Sequence, residues 1–196
     1  MTRQANVVRN SNETQIDLQL NLDGSGAHEI DTPVPFLSHM LTQVARHGCM
    51  DLVLKAQGDT EIDDHHTVED IGLCLGGAVL QALGDRRGIE RFGDRRAPLD
   101  EALVEVTIDL SGRPYLEFGL ELPRAKLGTF DVELVKEFYQ AFVVQAACNL
   151  HIRQLAGKNL HHIVEASFKA FALALRDATR QTRAAGVLPS TKGMLD

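Results

Sequence analysis

Residues 63–72 read DDHHTVEDIG, and the centre of this stretch occurs a second time in the chain. HHTVE at residues 65–69 recurs as HHIVE at residues 161–165, and each copy opens a run of apolar residues at helical spacing. His39 in the first half has a counterpart, Glu137, at nearly the same place in the second half. A single HHxxE is more typical of an exposed helix start than of a metal site. Its repetition predicts an internally duplicated fold.

The hydrophobic pattern gives both halves the same order of elements. Residues 14–22 alternate between apolar and polar side chains, as in a half-buried strand, and residues 65–83 show helical spacing. The predicted strands are 14–22, 27–31 and 52–56, then 102–110, 115–122 and 150–155, and the predicted helices are 35–47 and 65–83, then 132–147 and 161–183. Each half is therefore β-β-α-β-α, with a hairpin turn at residues 23–26 and a turn at residues 111–114.

We predict a single α+β domain over residues 1–196. It consists of two repeats, at about 1–92 and 93–196, joined by a linker at residues 84–98 and followed by a loop after residue 186. The apolar content of 44% and the charged content of 24% are ordinary for a globular protein.

Charge and cysteine content narrow the class of protein. A net charge of −7 argues against nucleic acid or an anionic membrane as the main partner. No run of 18 apolar residues and no signal segment are present, and the three cysteines, Cys49, Cys74 and Cys148, show no paired spacing. We therefore expect a cytoplasmic protein without disulfides.

Helix geometry explains what the repeated motif can bind. Adjacent residues on a helix diverge by about 100°, whereas residues three or four apart share a face. Glu69 therefore lies beside His65 or His66, and the two histidines suit two different metal ions, or metals that bridge two chain segments. The predicted metal ligands are His39, His65, His66, Glu69, Glu137, His161, His162 and Glu165. Imidazole and carboxylate ligands without thiolate leave Mn, Fe, Co and Zn open.

Cationic residues point to an anionic substrate. Lys169 lies four residues beyond Glu165 on the same predicted helix face, and Arg91, Arg113 and Lys192 lie near turns. Each of them alone is as compatible with a solvated surface charge, but cations beside a metal site favour a phosphate. Ser190 precedes Lys192 in the segment STKG, which has the composition of a phosphate-binding loop.

These motifs resemble those of the imidazoleglycerol-phosphate dehydratase family over nearly the whole chain. The matching segments are FLSHM at residues 36–40, DDHHTVEDIG, GIERFG at 88–93, DLSGRPY at 109–115, GKNLHHIVEASFKAF at 157–171 and PSTKG at 189–193. The resemblance implies the ribosomal protein S5 domain 2-like fold, with sheets that carry helices on one face. It also implies a homo-oligomeric shell of 24 subunits, with two manganese ions at each interfacial active site.

The resemblance further implies a reaction and residue roles. The expected activity is dehydration of D-erythro-imidazole glycerol phosphate to imidazole acetol phosphate in histidine biosynthesis, with metal ions as an electron sink for the substrate's imidazole ring. The implied catalytic residues are Glu13, Glu69 and Glu165. The implied substrate-binding residues are Glu13, His47, Arg91, Arg113, Lys169, Ser190 and Lys192. His151 flanks the site in sequence, as a contact or a structural histidine.

The chain departs from the family pattern at two places. Ser38 stands where the family usually has aspartate, which we expect to loosen the orientation of His39. Glu137 stands where many members carry a histidine ligand, so the metal ion would have an anionic oxygen as its ligand at this position. Two rival functions remain open: another metal-dependent lyase or hydrolase of a phosphorylated metabolite, and a non-catalytic metal-storage shell.

Overall fold

The computed structural model describes residues 3–182, 184 and 186–195. The first half contains β1 (Gln4–Asn10), β2 (Thr14–Asn21), β3 (His28–Asp31), α1 (Pro35–Gly48), β4 (Asp51–Gly58) and α2 (His65–Leu83). The second half contains β5 (Phe92–Leu99), β6 (Ala102–Asp109), β7 (Tyr115–Gly119), the short hairpin of β8 (Lys126–Leu127) and β9 (Phe130–Asp131), α3 (Leu134–Ala146), β10 (Asn149–Ala156) and α4 (Leu160–Thr179). Apart from that hairpin, the second half repeats the element order of the first, as predicted.

Each half begins with a strand that the hydrophobic pattern missed, so the repeat is β-β-β-α-β-α. The predicted linker at residues 84–98 is wrong, because most of its second part is strand β5. The buried side of β5 carries Gly93 and Ala97, since α4 packs closely there. A Cβ at Gly93 would lie 2.0 Å from the carbonyl oxygen of Ala174 on α4. Small residues are required at this contact, and they remove the apolar alternation that marks a strand.

The predicted hairpin at residues 23–26 is also wrong. The strand order is β1-β2-β4-β3, with β4 antiparallel to β2 and parallel to β3. The turn is instead tied to the first residue of β4, because the Asp51 carboxylate accepts hydrogen bonds from the amides of Ser25 (2.8 Å) and Ala27 (3.0 Å). The second sheet has the equivalent order, β5-β6-β10-β7. The strands that follow both turns are therefore edge strands reached by crossing β4 or β10.

The four helices lie between the two sheets. Strands β2 and β6 alternate buried and more exposed residues along their length, so each sheet covers the core with one face. Helix α2 packs on β1 and β2, α4 packs on β5 and β6, and the halves meet through α2 against α3 and α1 against α4. A set of fully buried aromatic side chains joins α3 to α4: Phe138, Tyr139, Phe142, Phe168 and Phe171. Among the described residues, no helix is both long and apolar enough to cross a membrane.

The helix ends largely match the prediction, and this places the two HHxxE motifs. Helix α2 begins at His65, and α4 begins at Leu160, one residue before His161. The Asn159 side chain caps α4 by accepting hydrogen bonds from the amides of His161 and His162. The prediction ran α4 to Arg183, which lies outside the described residues, but the helix ends at Thr179. Both motifs therefore occupy the first turns of the longest helices.

Candidate metal and substrate site

Helices α1 and α4 bring three of the predicted ligands together. Glu165 Oε2 lies 3.2 Å from His39 Nε2 on α1 and 3.1 Å from His161 Nε2, one turn earlier on α4. Within the described part of the chain, these three residues form the group whose ligand atoms all lie within 4.8 Å of one another. Lys169, one turn later, donates to Glu165 Oε1 at 2.7 Å. The result is a compact cluster of two imidazoles, a carboxylate and an ammonium.

The charges of this cluster keep the carboxylate ionised. Burial acts to raise the pKa of Glu165, but hydrogen bonds from Lys169, His39 and His161 outweigh it and bring the pKa to about 2. Phe36 packs edge-on against the His161 ring, with ring centroids 5.4 Å apart, and limits its rotation. The cluster is thus an anionic oxygen flanked by two imidazole nitrogens, a donor set suited to a divalent cation.

The adjacent histidines point in different directions in both motifs. The rings of His161 and His162 are 6.2 Å apart with an interplanar angle of 84°, and those of His65 and His66 are 6.2 Å apart at 79°. His161 turns to Glu165, whereas His162 Nδ1 lies 2.7 Å from Glu101 Oε2. The divergence expected from helix geometry is present, so each motif offers imidazoles on two sides.

The first-half motif has its own acidic surroundings. His66 Nδ1 lies 3.0 Å from Asp59 Oδ2, and this hydrogen bond raises the pKa of His66. On the other side of the ring, His66 Nε2 lies 3.9 Å from Glu13 Oε1. Glu13 directly precedes β2, and its side chain is 54% exposed. The predicted acid/base residue therefore lies next to a predicted ligand and is open to solvent.

Glu69 and Glu137 lie on the packed pair α2 and α3. Both are half-buried, and Glu137 lies in the first turn of α3. The helices approach closely just beyond them, since a Cβ at Gly72 would lie 2.7 Å from the Phe138 carbonyl oxygen. The pair α2 and α3 joins the two halves as α1 and α4 do, and it carries one predicted carboxylate ligand on each helix. Five predicted ligands lie outside the His39 cluster in this chain: His65, His66, Glu69, Glu137 and His162.

Arg91 links the two chain segments that carry three of the other predicted phosphate-binding residues, whereas Lys169 lies in the Glu165 cluster. The Arg91 guanidinium donates to both oxygens of Asp109, at 2.7 and 3.0 Å, and to the carbonyl oxygen of Pro189 at 2.8 Å. Arg91 thereby joins the segment that leads to Arg113 with the segment that carries Ser190 and Lys192. Gly112 and Gly193, next to Arg113 and Lys192, line one cavity of about 430 Å³. The Lys192 amide donates to Ser190 Oγ at 3.2 Å.

Three further predicted positions have distinct environments. His47 lies two turns beyond His39 on α1, where burial and the positive charge of Lys169 lower its pKa. His151 lies on the exposed side of β10 and stacks on Tyr115, with ring centroids 5.7 Å apart. Ser38 Oγ interacts with Thr32 Oγ1 at 2.8 Å and with the Val34 carbonyl, at the start of α1, rather than with His39.

Asp59 and Glu101 are the residues that sequence reasoning missed. Each lies in a loop and contacts the second histidine of a motif through the Nδ1 atom. A hydrogen bond from His162, with further bonds from the Asn159 and Lys158 amides, lowers the pKa of Glu101 to about 2. Aligning the two halves at the alternating strands would have found Glu101, because it precedes β6 as Glu13 precedes β2. No such alignment of the two halves would have identified Asp59.

Known proteins share both the sequence and the fold. The family model of imidazoleglycerol-phosphate dehydratase matches residues 32–175. A Synechococcus protein of that name is 60% identical over 194 residues, 98% of this chain and 94% of its own length, and one from Gloeobacter violaceus is 57% identical over 98% of each chain. The crystal structure of imidazoleglycerol-phosphate dehydratase from Staphylococcus aureus has 41% identity and a TM-score of 0.83, covering 91% of this chain and 99% of its own. That from Pyrococcus furiosus has 38% identity and a TM-score of 0.84, covering 96% and 100%.

Proposed function

The chain belongs to the imidazoleglycerol-phosphate dehydratase family, hydro-lyases of histidine biosynthesis, and from this membership we propose how its residues carry out the reaction. The substrate is D-erythro-imidazole glycerol phosphate, which loses water to give imidazole acetol phosphate at a site with two manganese ions. The observation that carries the proposal is the cluster of His39, His161, Glu165 and Lys169. It combines metal-type donors with a cation in a protein of net charge −7.

The donors fit a divalent metal ion. His39 and His161 each turn Nε2 towards one ionised carboxylate oxygen, and no thiolate takes part. The remaining ligands would be His65, His66, Glu69, Glu137 and His162. A divalent metal ion held by these residues would supply an electron sink for the negative charge left when a C–H proton departs.

The separation of the ligands within one chain supports a homo-oligomer. His39, His161 and Glu165 lie between α1 and α4, whereas Glu69 and Glu137 lie on α2 and α3. We infer that a full set for two ions is completed by the α2 and α3 residues of another copy. We propose interfacial active sites in a shell of 24 subunits. The cysteines at 49, 74 and 148 are free thiols, which accords with a cytoplasmic location.

The chain's own residues handle the proton and the phosphate. Glu13 is our candidate acid/base, because its exposed carboxylate can reach a substrate held beside His66. Glu69 and Glu165 contribute negative charge at the ligand positions. Lys169 is engaged with Glu165, and His47 lies near Lys169 on the facing helix, where both can contact the polar part of the substrate.

Phosphate binding fixes the reacting carbons. Arg113, Ser190 and Lys192 would contact the phosphate, while Arg91 holds their two segments together through Asp109 and Pro189. Anchoring a remote, non-reacting group lets its binding energy position the carbon that loses a proton.

Turnover of imidazole glycerol phosphate by the manganese-loaded protein tests the proposal. Lys192→Ala should lower kcat/KM about 100-fold with metal content unchanged. Lys55→Ala, on the exposed side of β4, is the matched control and should retain wild-type turnover. Metal-loaded wild type that does not form imidazole acetol phosphate would overturn the assignment, and full activity of Lys192→Ala would favour metal storage.

Removal of metal tests the interfacial site. Chelation should dissociate the assembly, because the ligands of each ion come from different copies. Light scattering before and after chelation measures the particle mass. An unchanged mass would exclude metal ions as the link between subunits.

A further inference from the structure

The two glutamates that precede the middle strands have diverged in their contacts. Glu13 precedes β2 and Glu101 precedes β6, so the duplication makes them equivalent. Glu101 Oε1 accepts hydrogen bonds from the amides of Asn159 (2.8 Å) and Lys158 (3.2 Å), and Oε2 lies 2.7 Å from His162 Nδ1. Both oxygens of Glu101 are therefore engaged, and the residue is held at the start of α4.

This contact determines which nitrogen of His162 carries the proton. An ionised carboxylate has no hydrogen to donate, so the short contact requires a proton on Nδ1. In the neutral imidazole, the Nε2 atom then keeps its lone pair. We propose that Glu101 is a positioning residue that fixes His162 in the Nδ1–H tautomer, which presents Nε2 to a metal ion. The inference rests on the proposed function, in which His162 is a ligand.

Asp59 performs the same task for His66 with different geometry. Both of its carboxylate oxygens lie near His66 Nδ1, at 3.2 and 3.0 Å. His66 Nε2 is consequently directed to the side of Glu13. The motif thus receives a carboxylate on Nδ1 of its second histidine in both halves, from β5–β6 in one case and from the β4–α2 loop in the other. Carboxylates in this position orient ligating imidazoles.

The different geometries make the two amide substitutions behave differently. In Glu101→Gln, the side-chain oxygen remains with the two backbone amides, so the NH₂ group faces His162. That group donates, and His162 must accept at Nδ1 and move its proton to Nε2. In Asp59→Asn, the amide oxygen can take either position near His66, so the Nδ1–H tautomer persists. Glu101→Gln therefore moves the proton of His162 from Nδ1 to Nε2, whereas Asp59→Asn leaves the tautomer of His66 unchanged.

The 15N chemical shifts of the imidazole nitrogens report the histidine tautomers directly. They are measured by magic-angle-spinning NMR on metal-free protein labelled with 15N-histidine. His162 is assigned by its loss in His162→Asn. We expect Nδ1–H for His66 and His162 in the wild type, Nε2–H for His162 in Glu101→Gln, and no change in Asp59→Asn. Glu121→Gln, an exposed carboxylate just beyond β7, is the charge-matched control and should resemble the wild type.

Manganese binding, followed by the EPR signal of the free ion, gives the second readout. Glu101→Gln should weaken the affinity of one ion by about 10–100-fold, and Asp59→Asn should weaken it much less. Wild-type His162 with its proton on Nε2, or an unchanged tautomer in Glu101→Gln, would overturn the inference. The chemical shifts are measured without metal or substrate, so absence of dehydratase turnover does not affect the tautomer result. Conversely, an unexpected tautomer does not contradict the proposed reaction.

Discussion

Gly76 and Gly77 are neighbours on α2 with opposite surroundings. A Cβ at Gly76 would lie 2.4 Å from the carbonyl oxygen of Phe142 and 3.0 Å from the Ala146 nitrogen, both on α3. A Cβ at Gly77 would meet nothing within 4 Å. Substituting alanine at each position therefore separates helix propensity from helix packing, on the helix pair that carries Glu69 and Glu137.

The two substitutions should change the free energy of unfolding in opposite directions. Alanine in place of glycine inside a helix stabilises it by about 1 kcal/mol, and this is the whole effect in Gly77→Ala. In Gly76→Ala, α2 and α3 must move apart until the 2.4 Å approach to a rigid backbone oxygen reaches the 3.4 Å of ordinary contact. Overpacking of this kind costs about 1–3 kcal/mol, so after the gain of about 1 kcal/mol from helix propensity the net effect is a loss of up to about 2 kcal/mol.

Urea unfolding of the metal-free proteins, followed by circular dichroism, measures both values. The two variants should differ by about 1–3 kcal/mol, or by roughly 2–12 °C in Tm for a chain of this size. Gly76→Ala should also bind manganese more weakly, because the shift moves the two helices that carry the proposed ligands Glu69 and Glu137. Equal stability of the two variants would show that α2 and α3 do not pack at this distance.

Three further substitutions test other contacts. Lys169→Met removes the ammonium from Glu165, so we expect the pKa of that carboxyl to rise and kcat/KM to fall about 100-fold, measured across a pH series. A hydrogen bond from the Ser25 amide lowers the pKa of Asp51, so its stabilisation is present above the ordinary aspartate value and is lost as pH falls through the lower folded value. Asp51→Asn should therefore be less stable than the wild type at pH 7, with a gap in urea midpoint that closes in acid. Arg91→Lys cannot make both carboxylate hydrogen bonds and should raise KM about 10-fold, with a lower unfolding midpoint because the contact between the two segments is weakened.

The helices and the inner strands could be predicted because the buried face of each one follows from the spacing of apolar residues within its own sequence. Strands β2 and β6 show alternation that follows directly from one buried face, and α2 starts at the predicted residue. Strand β1 alternates too weakly, since most of its residues are exposed or half-buried. Strand β5 is hidden by Gly93, which close packing of α4 requires. These strands are specified by partners distant in sequence, which a local pattern cannot contain.

The strand order could not be predicted from the turns. Asp23-Gly24 has the composition of a hairpin turn, but the Asp51 carboxylate binds the amides of Ser25 and Ala27 and directs the chain past β4. The same limit applies to the site. Helical spacing placed Lys169 beside Glu165, whereas the contact from Asp59 to His66 depends on how a loop folds back.

Divergence between the repeats gives one inherited position two different chemical roles. Glu101 accepts hydrogen bonds from two backbone amides and contacts His162, so both carboxylate oxygens are held in place and cannot move towards a substrate. In the first half, Asp59 occupies Nδ1 of His66, and this frees Glu13 from an orienting role. Glu13 remains 54% exposed and 3.9 Å from His66 Nε2, on the side where a ligand would bind. An acid/base residue needs such freedom, because it must exchange its proton with the substrate and then with solvent. In the proposed mechanism, the added loop carboxylate, rather than any change at the glutamate itself, therefore separates the positioning role of Glu101 from proton transfer by Glu13.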